Sequence, residues 1–280
     1  MPDIGAVENV KGPVALRRAR FVVAYHGAGF HGFAPNPNVA TVVGVLTDAI
    51  GRVARYAVEL VGAGRTDAGV HAWGQVISCD LPADTDLADL VRHVNRMCAP
   101  RVVLRDADWA ADQFSARFDA TWRHYRYTVF NSAVPHPFLG LTSWHVPRPL
   151  SLPTMQLACD PLIGEHDFAT FCRKPEVSAG QDERSLRRRV VQARWTDVSD
   201  QNDMSPGDGR LLRFDIRANA FCHQMVRSIV GTLVDVGRGH MHAGEVRALM
   251  LSRDRHLAPA LAPAHGLTLW EVGYSGPRLH

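Results

Sequence analysis

The sequence predicts an α/β protein made of two related units side by side. Strand-like runs alternate with runs of helical period, the same strand-and-helix order recurs in both halves, and Asn131 to Pro149, with four prolines, separates them. At 280 residues and 46% hydrophobic content, the chain can bury one large core or two of ordinary size. The expected divisions are a loose tail over 1–16, an N-terminal α/β unit over 17–135 carrying an aspartate loop, and a C-terminal α/β unit over 136–280.

Phe21 to Tyr25 is a short apolar run closed by Gly27 and reads as a strand, whereas Thr41 to Val53 places apolar residues at helical spacing. Tyr56 to Gly62 and Gly74 to Leu81 read as strands flanking a glycine-rich connection. Leu87 to Met97 lines Leu87, Leu90, Val91 and Val94 along one helical face, with Asp84 or Asp86 as cap and Pro100 beyond the end. Phe118 to Phe130 alternates and is rich in Tyr, Thr and Val, as strands are. In the second half, a helix is expected from Leu152 to Ile163 and strands over Arg189 to Val198 and Leu211 to Ala218, with a polar loop from Ser199 to Gly209 between those strands. His223 to Val236 is the clearest helix, closed by Gly237. A helix over Ala243 to Leu251 and a strand over Thr268 to Tyr274 complete the order.

The formal charge is only +3, so a nucleic-acid surface would have to be a local patch. Lys11 and Lys174 are the only lysines. Nearly all positive charge is therefore arginine, which grips phosphate bidentately and stacks on bases, although GC-rich coding produces the same bias. Five cysteines, Cys79, Cys98, Cys159, Cys172 and Cys222, are scattered without a Cys-x-x-Cys pair. That pattern reads as a reduced, cytoplasmic protein without structural zinc. None of the 14 histidines has the His-Glu-x-x-His spacing of a metal helix, no Gly-x-Ser-x-Gly elbow occurs, and no run has the length of a membrane span.

The most informative stretch runs Gly62-Ala-Gly-Arg-Thr-Asp-Ala-Gly-Val-His71. It is not a dinucleotide fingerprint, because Asp67 stands where the third glycine belongs, and it lacks the Gly-Lys-Ser/Thr of a P-loop. Gly62, Gly64 and Gly69 allow close backbone approaches, and Arg65 beside Asp67 favours the ionised carboxylate, so Asp67 is a candidate nucleophile. An Arg–Asp pair that merely holds the turn remains the alternative at this point.

Between Arg117 and Tyr127, basic and aromatic residues interleave. Period two places Arg123, Tyr125 and Tyr127 on one face, a surface that can hold a phosphate and stack an unstacked base. Arg184 and Arg187 to Arg189 form a basic cluster ahead of a strand. Asn219 to Arg227 leads into the strongest helix, whose N-terminus can meet a phosphate; His223 within it reads as a cap or packing residue. Leu267 follows a turn and offers a hydrophobic wall.

Five motifs in order, Gly64-Arg-Thr-Asp-Ala-Gly-Val-His71, Ala116-Arg-Phe118 with Arg123-His-Tyr-Arg-Tyr127, Gly164-Glu-His-Asp-Phe168, Ala218-Asn-Ala-Phe221 with Met225-Val-Arg227 and Ile229-Val-Gly231, and Ala264-His-Gly-Leu267, resemble the tRNA pseudouridine synthase A family. The resemblance implies an isomerase that converts uridines at positions 38 to 40 of the tRNA anticodon stem-loop to pseudouridine. It implies two α/β domains sharing an extended, mainly antiparallel sheet with a basic central cleft, a homodimer, and neither metal nor cofactor. Carried over, Asp67 is the nucleophile, Arg65 its partner, Tyr125 the residue against the target base and Leu267 part of the pocket wall. Arg117, Arg123 and Arg184 are the further substrate-binding candidates. Where the family has Tyr-Asp-Gly and His-Gly-Trp-Gln, this chain reads Tyr25-His-Gly27 and His31-Gly-Phe33-Ala34, which bears on RNA positioning and leaves the aspartate loop intact. The rival from another class is a tRNA-binding module or chaperone without chemistry.

Overall fold

Alternation in the first strand, β1 (Leu16–Tyr25), buries Ala19, Phe21, Val23 and Tyr25 on one face. The structure is a computed structural model that describes residues 14–173, 185–201 and 209–275. Helix α1 (Val42–Ala54) starts where the Thr41 hydroxyl accepts from the Gly44 N–H at 3.2 Å, and stops at Arg55, which takes a left-handed φ of 51°. β2 (Val61–Gly62) and β3 (His71–Pro82) flank the glycine-rich turn, and α2 (Leu87–Cys98) is capped by Asp86, not Asp84. β4 (Val102–Trp109) follows, then β5 (Trp122–Asn131) and the short β6 (Trp144–Val146). The second half continues with α3 (Leu152–Leu157), β7 (Gly164–Asp167), β8 (Arg187–Asp197), β9 (Arg210–Ala218), α4 (Met225–Gly237), α5 (Glu245–Ser252) and β10 (Leu267–Gly273).

All ten strands join one open sheet in the order β4-β1-β3-β10-β5-β9-β8-β7, with β2 added to β3 and β6 to β5. Only β3/β10 and β5/β6 pair in parallel, so the sheet is mainly antiparallel. β10 lies between β3 and β5 and stitches the two halves together. Register then sorts the side chains of β5 and β9 onto two faces: Tyr125 and Tyr127 lie opposite Ile216 and Phe214, and His124 and Arg126 opposite Arg217 and Asp215. The first face is the apolar core, and against it α3 packs on α4 and β8, while α1 and α2 pack together beside β4.

Several expectations change. The strand expected over Tyr56 to Gly62 shrinks to Val61–Gly62, which pair with Ser78 and Ile77. β5 begins at Trp122, because the Asp119 carboxylate accepts from the Ser115 N–H at 2.8 Å and closes a turn ahead of it. The helix expected to Ile163 ends at Leu157 and resumes as one tight turn over Asp160–Leu162, since Pro161 has no N–H to continue it. β4 escaped the pattern reading because its second half, Arg105 to Asp108, is mostly charged, as edge strands are. Residues 1–13, most of the expected tail, lie outside the described residues, and β1 begins at Leu16 inside that expected tail.

Candidate active site

Buried polar groups pin the β2–β3 turn in place. Gln75, fully buried, donates its amide to the Gly64 carbonyl at 2.7 Å, and the Thr66 hydroxyl lies 2.7 Å from the Tyr25 hydroxyl. The Phe33 N–H donates to the Thr66 carbonyl, and the Val70 N–H closes the turn onto the Asp67 carbonyl. Two glycines are required by geometry: Gly69 has φ +78°, and a Cβ at Gly62 would come within 2.2 Å of the Phe33 ring. At Gly64 an added Cβ would meet nothing within 4 Å, so the close approach expected there is not made within the protein.

Just after this turn, buried His71 accepts from the Gly27 N–H at Nδ1 (2.9 Å), which leaves Nε2–H to donate to the His265 carbonyl at 3.0 Å. Burial, helped by the adjacent His26 ring 4.4 Å away, lowers the His71 pKa to about 4 and keeps it neutral. The chain's departure at position 26 thus sits on the histidine that ties the turn to the segment before β10.

The turn delivers Asp67 to a cleft of about 1180 Å³ whose lining includes the turn itself, β5 and the segment that opens α4. Its carboxylate is held across the chain: Arg227 Nη1 lies 3.3 Å from Oδ2, and His223 Nε2 lies 3.4 Å from Oδ1. Both come from the segment that opens α4, where Gln224 takes a left-handed φ of 64° and turns the chain into the helix. This corrects the expectation that Arg65 pairs with Asp67. Arg65 lines the same cleft and is exposed there.

Tyr125 lines the cleft too, its ring edge-on to Phe221 with centroids 5.0 Å apart. Burial first, and then the nearby Asp67 charge, push the Tyr125 hydroxyl pKa up. Leu267, the first residue of β10, forms part of the wall. Arg117 is exposed at the rim, and its guanidinium lies 5.3 Å from the centroid of the Phe118 ring. Arg123 donates its terminal nitrogens to four carbonyls, those of Ala120, Asn219, Ala63 and Arg117, and so straps the aspartate turn to β5 and β9. Arg184 lies outside the described residues. Among the described residues, Arg65, Arg117, Arg123, Arg173, Arg188 and Arg227 line the cleft against two acidic side chains, Glu59 and Asp67, so this lining is basic despite the modest net charge.

Sequence reading missed His223 and Arg227 as partners of Asp67. The run from Asn219 to Arg227 was visible as the approach to a strong helix, but nothing local shows that 160 residues of chain bring it against the aspartate. Asp67 is thus a carboxylate half open to a basic cleft, with aromatic and aliphatic walls beside it.

Residues 158–275 match a family described as tRNA pseudouridine synthase. A tRNA pseudouridine synthase A of Brevibacillus brevis is 37% identical over 259 residues, covering 92% of this chain and all of the relative. Those of Frankia casuarinae and Corynebacterium glutamicum are 40% and 38% identical, each over 92% of this chain and about nine-tenths of their own length. On that similarity the chain belongs to the tRNA pseudouridine synthase A family.

Proposed function

We propose that this protein isomerises uridine to pseudouridine at positions 38 to 40 of the tRNA anticodon stem-loop, with Asp67 as nucleophile on a flipped-out uridine. The observation that carries the reading is the state of Asp67, gripped from inside by Arg227 and open on its other side to an arginine-lined cleft. Isomerisation breaks the N1–C1′ bond and forms C5–C1′, and one proton leaves C5 while one arrives at N1. It balances without an oxidant, a reductant or water, so the proposal needs no cofactor. Extruding the uridine costs a few kcal/mol, which arginine contacts to the phosphates would offset.

In this reading Tyr125 lies against the target base and Leu267 closes the pocket. Arg65 and Arg117, both exposed on the cleft, reach the RNA, and Arg123 supports that surface by fixing the carbonyls of Ala63 and Arg117; Arg184 stays a substrate-binding candidate on the resemblance alone. We also propose the two-unit division 17–135 and 136–280 on the resemblance, supported by separate helix pairs beside the two ends of the sheet, although β5, within 17–135, pairs only with strands of the second unit. The homodimer rests on the resemblance and on the uncovered sheet face. There Trp73 is 45% exposed and stacks on Trp270, with ring centroids 6.0 Å apart.

Purified protein incubated with unmodified tRNA should form pseudouridine in the anticodon stem-loop, mapped by position. Asp67→Asn should abolish product and leave tRNA binding largely intact. Binding without base change in the unsubstituted protein would instead identify a tRNA-binding module.

A further inference from the structure

We propose that His223 is a catalytic hydrogen-bond donor that follows the negative charge as it leaves Asp67, bonding to a carbonyl oxygen of the departing uracil. The inference rests on Asp67 being the reacting carboxylate. The two partners of Asp67 differ in kind. Arg227 is 16% exposed in its side chain, and its Nε is committed to the Ala262 carbonyl at 2.8 Å while Nη1 meets Oδ2. It cannot leave its place. His223 is 48% exposed in its side chain, opens on the cleft and faces Oδ1 through Nε2 at 3.4 Å, with no hydrogen bond holding its ring among the described residues. Its main chain is fixed, since its carbonyl accepts the Arg173 N–H at 3.0 Å, so the ring can turn without the backbone moving.

Whichever atom of the uridine Asp67 engages, the charge makes the same journey. If the carboxylate attacks C1′, its electron pair forms the new C–O bond and the N1–C1′ pair departs on uracil. If it removes the C2′ proton, the C–H pair becomes the C1′=C2′ bond and again the N1–C1′ pair leaves on uracil. If it attacks C6, the C5=C6 pair is driven onto the C4 carbonyl oxygen; C5 of that enolate then takes C1′ as the N1–C1′ pair stays on N1, which is protonated. In every route Asp67 loses its charge and a uracil oxygen, O2 or O4, gains it. When C5 bonds to C1′ and Asp67 is released, the charge returns to the carboxylate, and the C5 proton is lost as N1 gains one. A ring nitrogen that stands 3.4 Å from Oδ1 at rest, and is free to turn, is therefore placed to serve both anions. Preorganised donors act most strongly where charge develops out of bulk water.

The test is a leaving-group comparison under single-turnover conditions, with tRNA carrying either uridine or 5-fluorouridine at the target position. Consumption of that nucleoside is followed in nuclease digests. Fluorine spreads the charge on uracil and makes it less dependent on a donor. His223→Ala is expected to slow the uridine reaction about 100-fold and the fluorouridine reaction only about tenfold, so the ratio of the two rates rises about tenfold over the unsubstituted protein. His223→Gln, which keeps an N–H, should return much of the rate and lower the ratio. Because the ratio is taken within one preparation, partial misfolding does not alter it. An unchanged ratio in His223→Ala, or an unchanged uridine rate, overturns the proposal. Activity surviving in Asp67→Asn would instead overturn the reading beneath it.

Discussion

Two aspartates on opposite faces of the sheet carry the same kinds of partner and have opposite fates. Asp215 on β9 faces away from the cleft and receives His124 Nε2 at 2.8 Å, Arg126 Nε at 2.9 Å and Arg213 Nε at 3.0 Å, with its side chain 10% exposed. Asp67 has one histidine and one arginine at 3.4 and 3.3 Å, and 22% of its side chain is open. Burial works to raise the Asp215 pKa, but the His124 and Arg126 hydrogen bonds and the Arg213 charge outweigh it and hold the carboxyl at about 2. A saturated carboxylate is a fastening; one left short of partners can still form a bond. Arg126 extends the fastening by lying 3.6 Å from the centroid of the Trp270 ring, and so ties β5 to β10.

The sharpest way to break this contrast is to neutralise each aspartate in turn. Asp67→Asn should cut the single-turnover rate by about 10⁴-fold or more while changing stability by less than about 1 kcal/mol, since the pairs it loses are long and partly solvated. Asp215→Asn should do the reverse, lowering stability by about 2–4 kcal/mol as the partly buried Arg126 and Arg213 lose their partner, with the rate per folded molecule unchanged. Urea denaturation and rapid-quench assays on both variants measure the two effects.

Acid separates structural from reactive groups next. The His71 pKa is held at about 4, below its ordinary 6.5, so its contribution to stability is present above 6.5 and drains away as pH falls toward 4. The loss amounts to about 3 kcal/mol over that window. His71→Gln should be less stable at pH 7 and should show a flatter dependence between pH 6.5 and 4. Asp215 resists further, giving up its share only as pH falls from about 4 through about 2. The smallest effect is expected at the cleft rim. Arg65→Ala should leave stability within about 0.5 kcal/mol, weaken tRNA binding modestly and reduce its salt dependence by about one phosphate contact.

What the sequence made legible follows the distance over which each cause acts. The Asp67 turn was readable because glycines, arginine and aspartate stand together within ten residues. The face shared by Arg123, Tyr125 and Tyr127 was readable because strand period is local. The choice of Asp84 or Asp86 as the cap of α2 and the end of α4 near Gly237 were readable for the same reason. The partners of Asp67 were not, because ion pairs across 156 and 160 residues depend on sheet order, which no local pattern encodes. Nor could period two show that the Arg123 guanidinium would be spent on four carbonyls. β6 and β7 are too short, at three and four residues, to display a period at all.

The place of β10 has a consequence in time. Among the described residues this strand follows every other element in chain order, yet it fills the middle of the sheet and brings Leu267 to the cleft wall. Until it is synthesised, β3 and β5 have no neighbour in common, and each half can fold only as a sheet with an exposed inner edge. A nascent chain thus carries Asp67 well before Leu267 reaches the wall of its cleft, and the candidate site is assembled only once β10 has been made.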